Sequence, residues 1–109
     1  MNSSIVIALP KIDDAKKIRT ILNRHGFSVA AVCSTASTAL ASMSELDGGI
    51  LICGYKLTDR YYQDVLEDIP SYFEMLLLAS GRVIAEAPTS VLTVEMPMKV
   101  SDLVNTVDM

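Results

Sequence analysis

Histidine, cysteine, basic charge and long apolar runs are all scarce in this chain, and each scarcity removes a class of function. His25 is the only histidine. A lone histidine without a nucleophile or metal partner is not expected to be catalytic, and at a helix end its imidazolium suits the helix dipole. The two cysteines, Cys33 and Cys53, form no close-spaced pair, which excludes a zinc knuckle and a secreted disulfide framework. Both read as buried free thiols, and Cys53 lacks the neighbouring histidine or cation that would activate a thiolate. No apolar run approaches the ~18 residues of a membrane span. Residues 1–4 carry no basic patch and the apolar run at 5–9 is too short for a signal-peptide core, so a cytoplasmic protein is expected. Nine Lys and Arg face thirteen Asp and Glu, a net charge of −4. The only dense basic stretch, Lys16, Lys17, Arg19 and Arg24, is expected on the outer side of a helix, so residues 1–109 should not bind nucleic acid directly. The turn at Leu9, Pro10 and Lys11 has no glycine, where a phosphate-cradling loop would need one. No metal site and no cofactor are expected.

What is present is a strongly apolar, evenly punctuated chain. Half of its residues are hydrophobic and 20% are charged, which suits one small domain over residues 1–109 with a core of its own. Residues 5–9 (IVIAL) are a short continuous apolar run, read as a strand buried on both faces. Pro10 ends it, Asp13 or Asp14 can open a helix, and Ala15, Ile18, Ile21 and Leu22 recur at helical spacing up to a stop at Gly26. Residues 27–33 read as a second strand. Ser34 or Thr35 can cap a second helix, with Ala36, Ala39, Leu40 and Met43 facing inward, and Asp47, Gly48 and Gly49 make a turn. Residues 50–53 (ILIC) are a third strand. Residues 59–69 read as a helix with Tyr62, Val65, Leu66 and Ile69 on one face, ended by Pro70. Residues 75–79 and 90–94 are the fourth and fifth strands. Between them, residues 80–89 hold Gly81 and Pro88, so the fourth helix should be shortened or irregular. A last helix begins at Ser101, with Leu103, Val104 and Val107 at helical spacing.

Alternating elements with fully apolar strands predict an α/β domain with a parallel sheet covered on both faces. Five strands suit the flavodoxin-like arrangement, order 2-1-3-4-5, in which function gathers beyond the carboxyl ends of the strands. That rim comprises Leu9 and Pro10, Cys53 and Gly54, Ala79 and Ser80, and Met96 and Pro97.

The order and spacing of several short motifs resemble the receiver domain of bacterial response regulators. His25, Gly26 and Phe27 resemble its first helix-to-strand corner. Residues 50–58 (ILICGYKLT) resemble its third strand and following loop, and Met96, Pro97 and Met98 with Leu103 resemble its Lys-Pro-Phe and the helical leucine downstream. The resemblance covers nearly the whole chain, and it implies a signalling module in which acidic groups hold Mg²⁺, a carboxylate attacks phosphorus and a lysine balances the new charge. The departures fall on those groups. The acidic pair falls on Leu9 and Pro10, the phosphoacceptor on Gly54, the hydroxyl residue on Ala79 (with Ser80 beside it) and the lysine on Met96. Asp13 and Asp14, Asp59 and Lys99 would each need a separate slip of register to stand in. The resemblance therefore implies a non-phosphorylatable pseudo-receiver with no catalytic residue, not an enzyme, and a pocket that is apolar and uncharged, lined by Leu9, Pro10, Cys53, Gly54, Ala79 and Met96. Residues 8–11 (ALPK), 52–59 (ICGYKLTD), 73–77 (FEMLL) and 96–100 (MPMKV) further resemble the receiver-like half of ANTAR-type transcription antiterminator regulators.

That resemblance implies a homodimer or a protein partner, with RNA reached only through a segment outside this chain. The candidate contact residues are Tyr55, Met96, Met98, Leu103, Val104 and Val107. Apolar spacing continues to the last residue, so the final helix, about 101–109, is expected to continue beyond it. The alternative is a flavodoxin-like domain that binds a small molecule or cofactor, or a small enzyme.

Overall fold

A computed structural model describes residues 4–108; residues 1–3, read above for a signal peptide, and Met109, the last residue of the predicted final helix, lie outside the described residues. Five parallel strands form one sheet in the order β2-β1-β3-β4-β5, the flavodoxin-like order expected from the sequence. They are β1 (Ser4–Ala8), β2 (Val29–Cys33), β3 (Gly49–Gly54), β4 (Phe73–Ala79) and β5 (Leu92–Glu95). The helices are α1 (Ile12–Arg24), α2 (Ala36–Ser44), α3 (Tyr62–Asp68), α4 (Gly81–Ala85) and α5 (Val100–Val107). With five residues, α4 is the shortened helix that Gly81 and Pro88 predict. None of the helices in the described residues is long and apolar enough to cross a membrane.

The sheet is buried on both faces because its strands are apolar throughout, and their period of two deals side chains to two cores. Val6, Ala8, Leu51, Cys53, Met75, Leu77 and Ala79 pack with α2 and α3 through Ala36, Met43, Tyr62 and Val65. Ile5, Ile7, Leu9, Ile52, Leu76 and Leu78 pack on the other face with α1 and α5 through Ile18, Leu22, Leu103 and Val107. β1 and β3 approach each other closely at one end. A Cβ on Gly49 would lie 1.8 Å from the Ser4 carbonyl oxygen, so only glycine fits there.

Several boundaries differ from the sequence reading. Neither Asp13 nor Asp14 opens α1. Lys11 occupies the N-cap position without a side-chain cap, and both aspartates lie in the first turn, where they still complement the dipole. At the other end Gly26, at φ +85°, lets the Phe27 N–H reach the Leu22 carbonyl and its own N–H reach Asn23, closing the helix as a Schellman motif. The fifth strand begins at Leu92 because the Val91 N–H is turned back onto the Pro88 carbonyl. The predicted helix over 59–69 begins only at Tyr62, because residues 55–61 form a tight reversal instead. In it the Leu57 N–H donates to the Arg60 carbonyl at 2.7 Å, the Tyr62 N–H donates to the Tyr55 carbonyl at 2.9 Å, and Lys56 pairs with Tyr61.

Candidate functional site

The carboxyl ends of β1, β3, β4 and β5 open on one rim, and the sheet's alternation decides which of its residues face a common space. Leu9, Pro10 and Gly54 meet: a Cβ on Gly54 would lie 3.2 Å from Leu9 Cδ2 and 3.5 Å from Pro10 Cδ. Met96, whose peptide bond to Pro97 is cis, reaches the same space from the end of β5 and is 43% exposed. Together these residues border a groove of about 520 Å³ between the rim and α1.

Two residues expected in this pocket are elsewhere. Cys53 and Ala79 belong to the core under α2 and α3, on the opposite face of the sheet. Each is one strand position out of phase with a residue that does line the groove, Gly54 and Leu78. The groove is also not uncharged, as expected from the rim residues alone. Asp14 and Lys17 border it from α1, and Lys56 borders it from the reversal after β3. Lys17, placed by sequence on the outer side of its helix, is exposed but stands at the groove's edge. A clue was available: Asp14, Lys17, Ile18 and Ile21 are spaced i, i+3, i+4, i+7, one stripe of a helix.

The two thiols are withdrawn from chemistry. Burial pushes the Cys53 thiol up to about 12, and its S–H lies 3.3 Å from the Gly54 carbonyl oxygen. Burial also raises Cys33, against a smaller lowering from a hydrogen bond with Ser42. Neither is a thiolate at neutral pH, so neither is a ready nucleophile.

The reversal after β3 is held from two sides. Asp59 stays out of α3 and reaches the N-terminus of α2, accepting the Ala36 N–H at 2.7 Å and the Ser37 N–H and hydroxyl at 3.2 Å each. These bonds, the Ala36 N–H first, hold its carboxyl below its ordinary value. Thr35 caps the same helix by accepting the Thr38 N–H. Thr58 donates through its hydroxyl to the Ser34 carbonyl, and Leu57 is buried beneath. The reversal thus presents Tyr55 and Lys56 from a fixed base. Tyr55 meets the Tyr61 ring edge-on at 5.4 Å, and the Lys56 ammonium lies 5.3 Å from the Tyr61 ring centroid.

The candidate contact residues divide by burial. Tyr55 and Met96 are exposed, Met98 and Val104 are half-buried, and Leu103 and Val107 are taken up by the core beneath α5. Leu103 and Val107 hold α5 on the sheet.

No family model and no curated protein matches the sequence. The fold is matched by solved structures of receiver domains. A response regulator receiver domain protein from Clostridium thermocellum superposes with a TM-score of 0.84 at 16% identity, over 97% of this chain and 91% of that one. The signal receiver domain of an HD domain-containing protein from Pseudomonas fluorescens Pf-5 gives 0.83 at 15% identity, over 98% and 85%. The anti-anti-sigma factor PhyR from Bartonella quintana gives 0.79 at 16% identity, over 99% of this chain and 46% of that one. The chain thus spans about half the length of the PhyR proteins it matches. At these identities the shared property is the receiver fold.

Leu9, Pro10 and Gly54 supply no side-chain oxygen, and among the described residues no three His, Cys, Asp or Glu side chains converge as a metal site needs.

Proposed function

We propose that this chain is a receiver-like signalling module that does not accept a phosphoryl group and acts through protein contacts or dimerisation. The observation that carries the proposal is that Leu9, Pro10 and Gly54, the residues to which the resemblance assigns the receiver's carboxylates, meet at one point of the rim. Lys99 follows Pro97 and is exposed, and Asp14 lies in the first turn of α1 at the groove's edge, so in this reading neither takes the place of the lysine or the acidic pair. The exposed Tyr55 and Met96 offer apolar contact area beside the rim. The module is not itself an enzyme in this reading: its thiols are buried and its histidine is an exposed helix cap.

Its output, in the same reading, is transcription antitermination through an adjoining RNA-binding segment, in a cytoplasmic regulator of the ANTAR type. Support comes from the spacing of residues 8–11, 52–59, 73–77 and 96–100 and from the net charge of −4, which leaves RNA contact to another segment.

Incubation with acetyl phosphate and Mg²⁺, followed by intact-mass measurement, tests the first part. An unchanged mass is expected; a phosphoryl adduct on any aspartate overturns it. Reading the coding sequence past Met109 tests the second. An in-frame heptad helix and basic helical segment support it, and a stop codon removes it.

A further inference from the structure

We infer that the rim groove is a binding site for a small amphipathic monoanion, an apolar body carrying one carboxylate. The inference rests on the reading that no phosphoryl group occupies this rim.

Volume and chemistry point the same way. About 520 Å³ falls within the range of roughly 300–1,000 Å³ typical of small-molecule sites. The groove's wall is Ile18 and Ile21 of α1, Leu78 of β4 and the two methionines of the β5–α5 connection. Methionine adapts its shape to an apolar guest at little cost. Leu9, Pro10 and Gly54 form its floor, with Leu9 and Pro10 packed closely against the glycine.

Charge then selects the head group. The chain as a whole is acidic, at −4, yet the groove is bordered by Lys17 and Lys56 against a single Asp14. The two lysines come from different elements, and both are exposed, so they stand at the open side. Neither has a carboxylate within ion-pair distance among the described residues. Lys56 is steadied by the Tyr61 ring, which Tyr55 packs against in turn. Asp14 lies one turn before Lys17 on the same stripe of α1, and its charge disfavours a dianion. An apolar body therefore fits the trough, with one negative charge between the lysines and water beyond.

The probe is decanoate below its aggregation concentration, titrated calorimetrically and by NMR of protein labelled with ¹³C at the methionine methyls. Met96 and Met98 line the groove, whereas Met43 and Met75 lie in the core on the opposite face and serve as internal controls. Saturable binding is expected to move Met96 and Met98 and leave Met43 and Met75 in place. Decanol, with the same body and no charge, should bind more weakly. The double variant Lys17→Glu/Lys56→Glu should weaken decanoate roughly tenfold or more while keeping its unfolding midpoint, since both sites are exposed, and added salt should weaken binding of the unaltered protein. Ile21→Trp, at a half-buried position, should fill the groove and abolish binding.

The proposal is overturned by absent saturable binding, by decanol binding as tightly as decanoate, or by shifts at Met43 and Met75. It is also overturned if Met96 and Met98 move with protein concentration alone, because a second copy then occupies the groove. The same holds if anionic vesicles move them, because a lipid surface is then the ligand. Acetyl phosphate treatment separates the two levels. Unchanged mass with no decanoate binding removes this inference and keeps the pseudo-receiver reading; a phosphoryl adduct removes that reading whatever decanoate does.

Discussion

At the scale of single residues, Asp59 carries the most specific structural role. Its carboxylate serves the first two N–H groups of a helix that begins in a different part of the chain, while Thr35 serves the next. Because these bonds hold its folded-state acidity below the ordinary carboxylate value of 3.8, they stabilise the fold at and above that pH, and the stabilisation is lost as pH falls through the lower folded value. Asp59→Asn should flatten this acid limb of stability, measured as urea midpoint against pH. Asp59→Ala should cost about 0.5–2 kcal/mol at neutral pH, the range for losing a helix cap. Cys53 illustrates the opposite case, a reactive group made inert by position. Iodoacetamide should label neither Cys53 nor Cys33 in the folded protein and both after urea unfolding, as read by intact mass.

At the scale of elements, helix ends and helix faces matter more than helix propensity. α1 is closed by Gly26 at φ +85°, a conformation that a Cβ makes unfavourable. Gly26→Ala should therefore destabilise by about 1 kcal/mol, although nothing lies within 4 Å of the added methyl, and the chemical-denaturation midpoint would report it. α5 has only eight residues and is held by Leu103 and Val107. Leu103→Ala should cost about 2–5 kcal/mol, the range for a fully buried leucine. Val104→Ala, at a half-buried position, should cost much less; the difference in urea midpoints separates packing from surface contact on this helix.

At the scale of the whole molecule, the two cores share one sheet whose central strands contribute side chains to both. Removing either core exposes the other face of the same strands, so the faces cannot melt separately. Unfolding followed by far-ultraviolet circular dichroism and by tyrosine fluorescence should give coincident transitions. Two distinct midpoints would mean that the α1 and α5 face opens on its own.

The sheet order and the shortened fourth helix were legible in the sequence, because the patterns that signal them are local. Unbroken apolar strands, alternation with helices, and Gly81 and Pro88 all act within a few positions of themselves. What only the tertiary structure decided was side-chain direction and long-range partnership. A run such as residues 50–53, apolar at every position, hides its period of two, so sequence could not say that Cys53 faces α2 while Gly54 faces the groove. Nor could it say that Asp59 leaves its own helix to cap another, or that Lys17 stands at the edge of a pocket. Those outcomes depend on which surfaces the folded sheet brings within a few ångströms, and no local pattern encodes that distance.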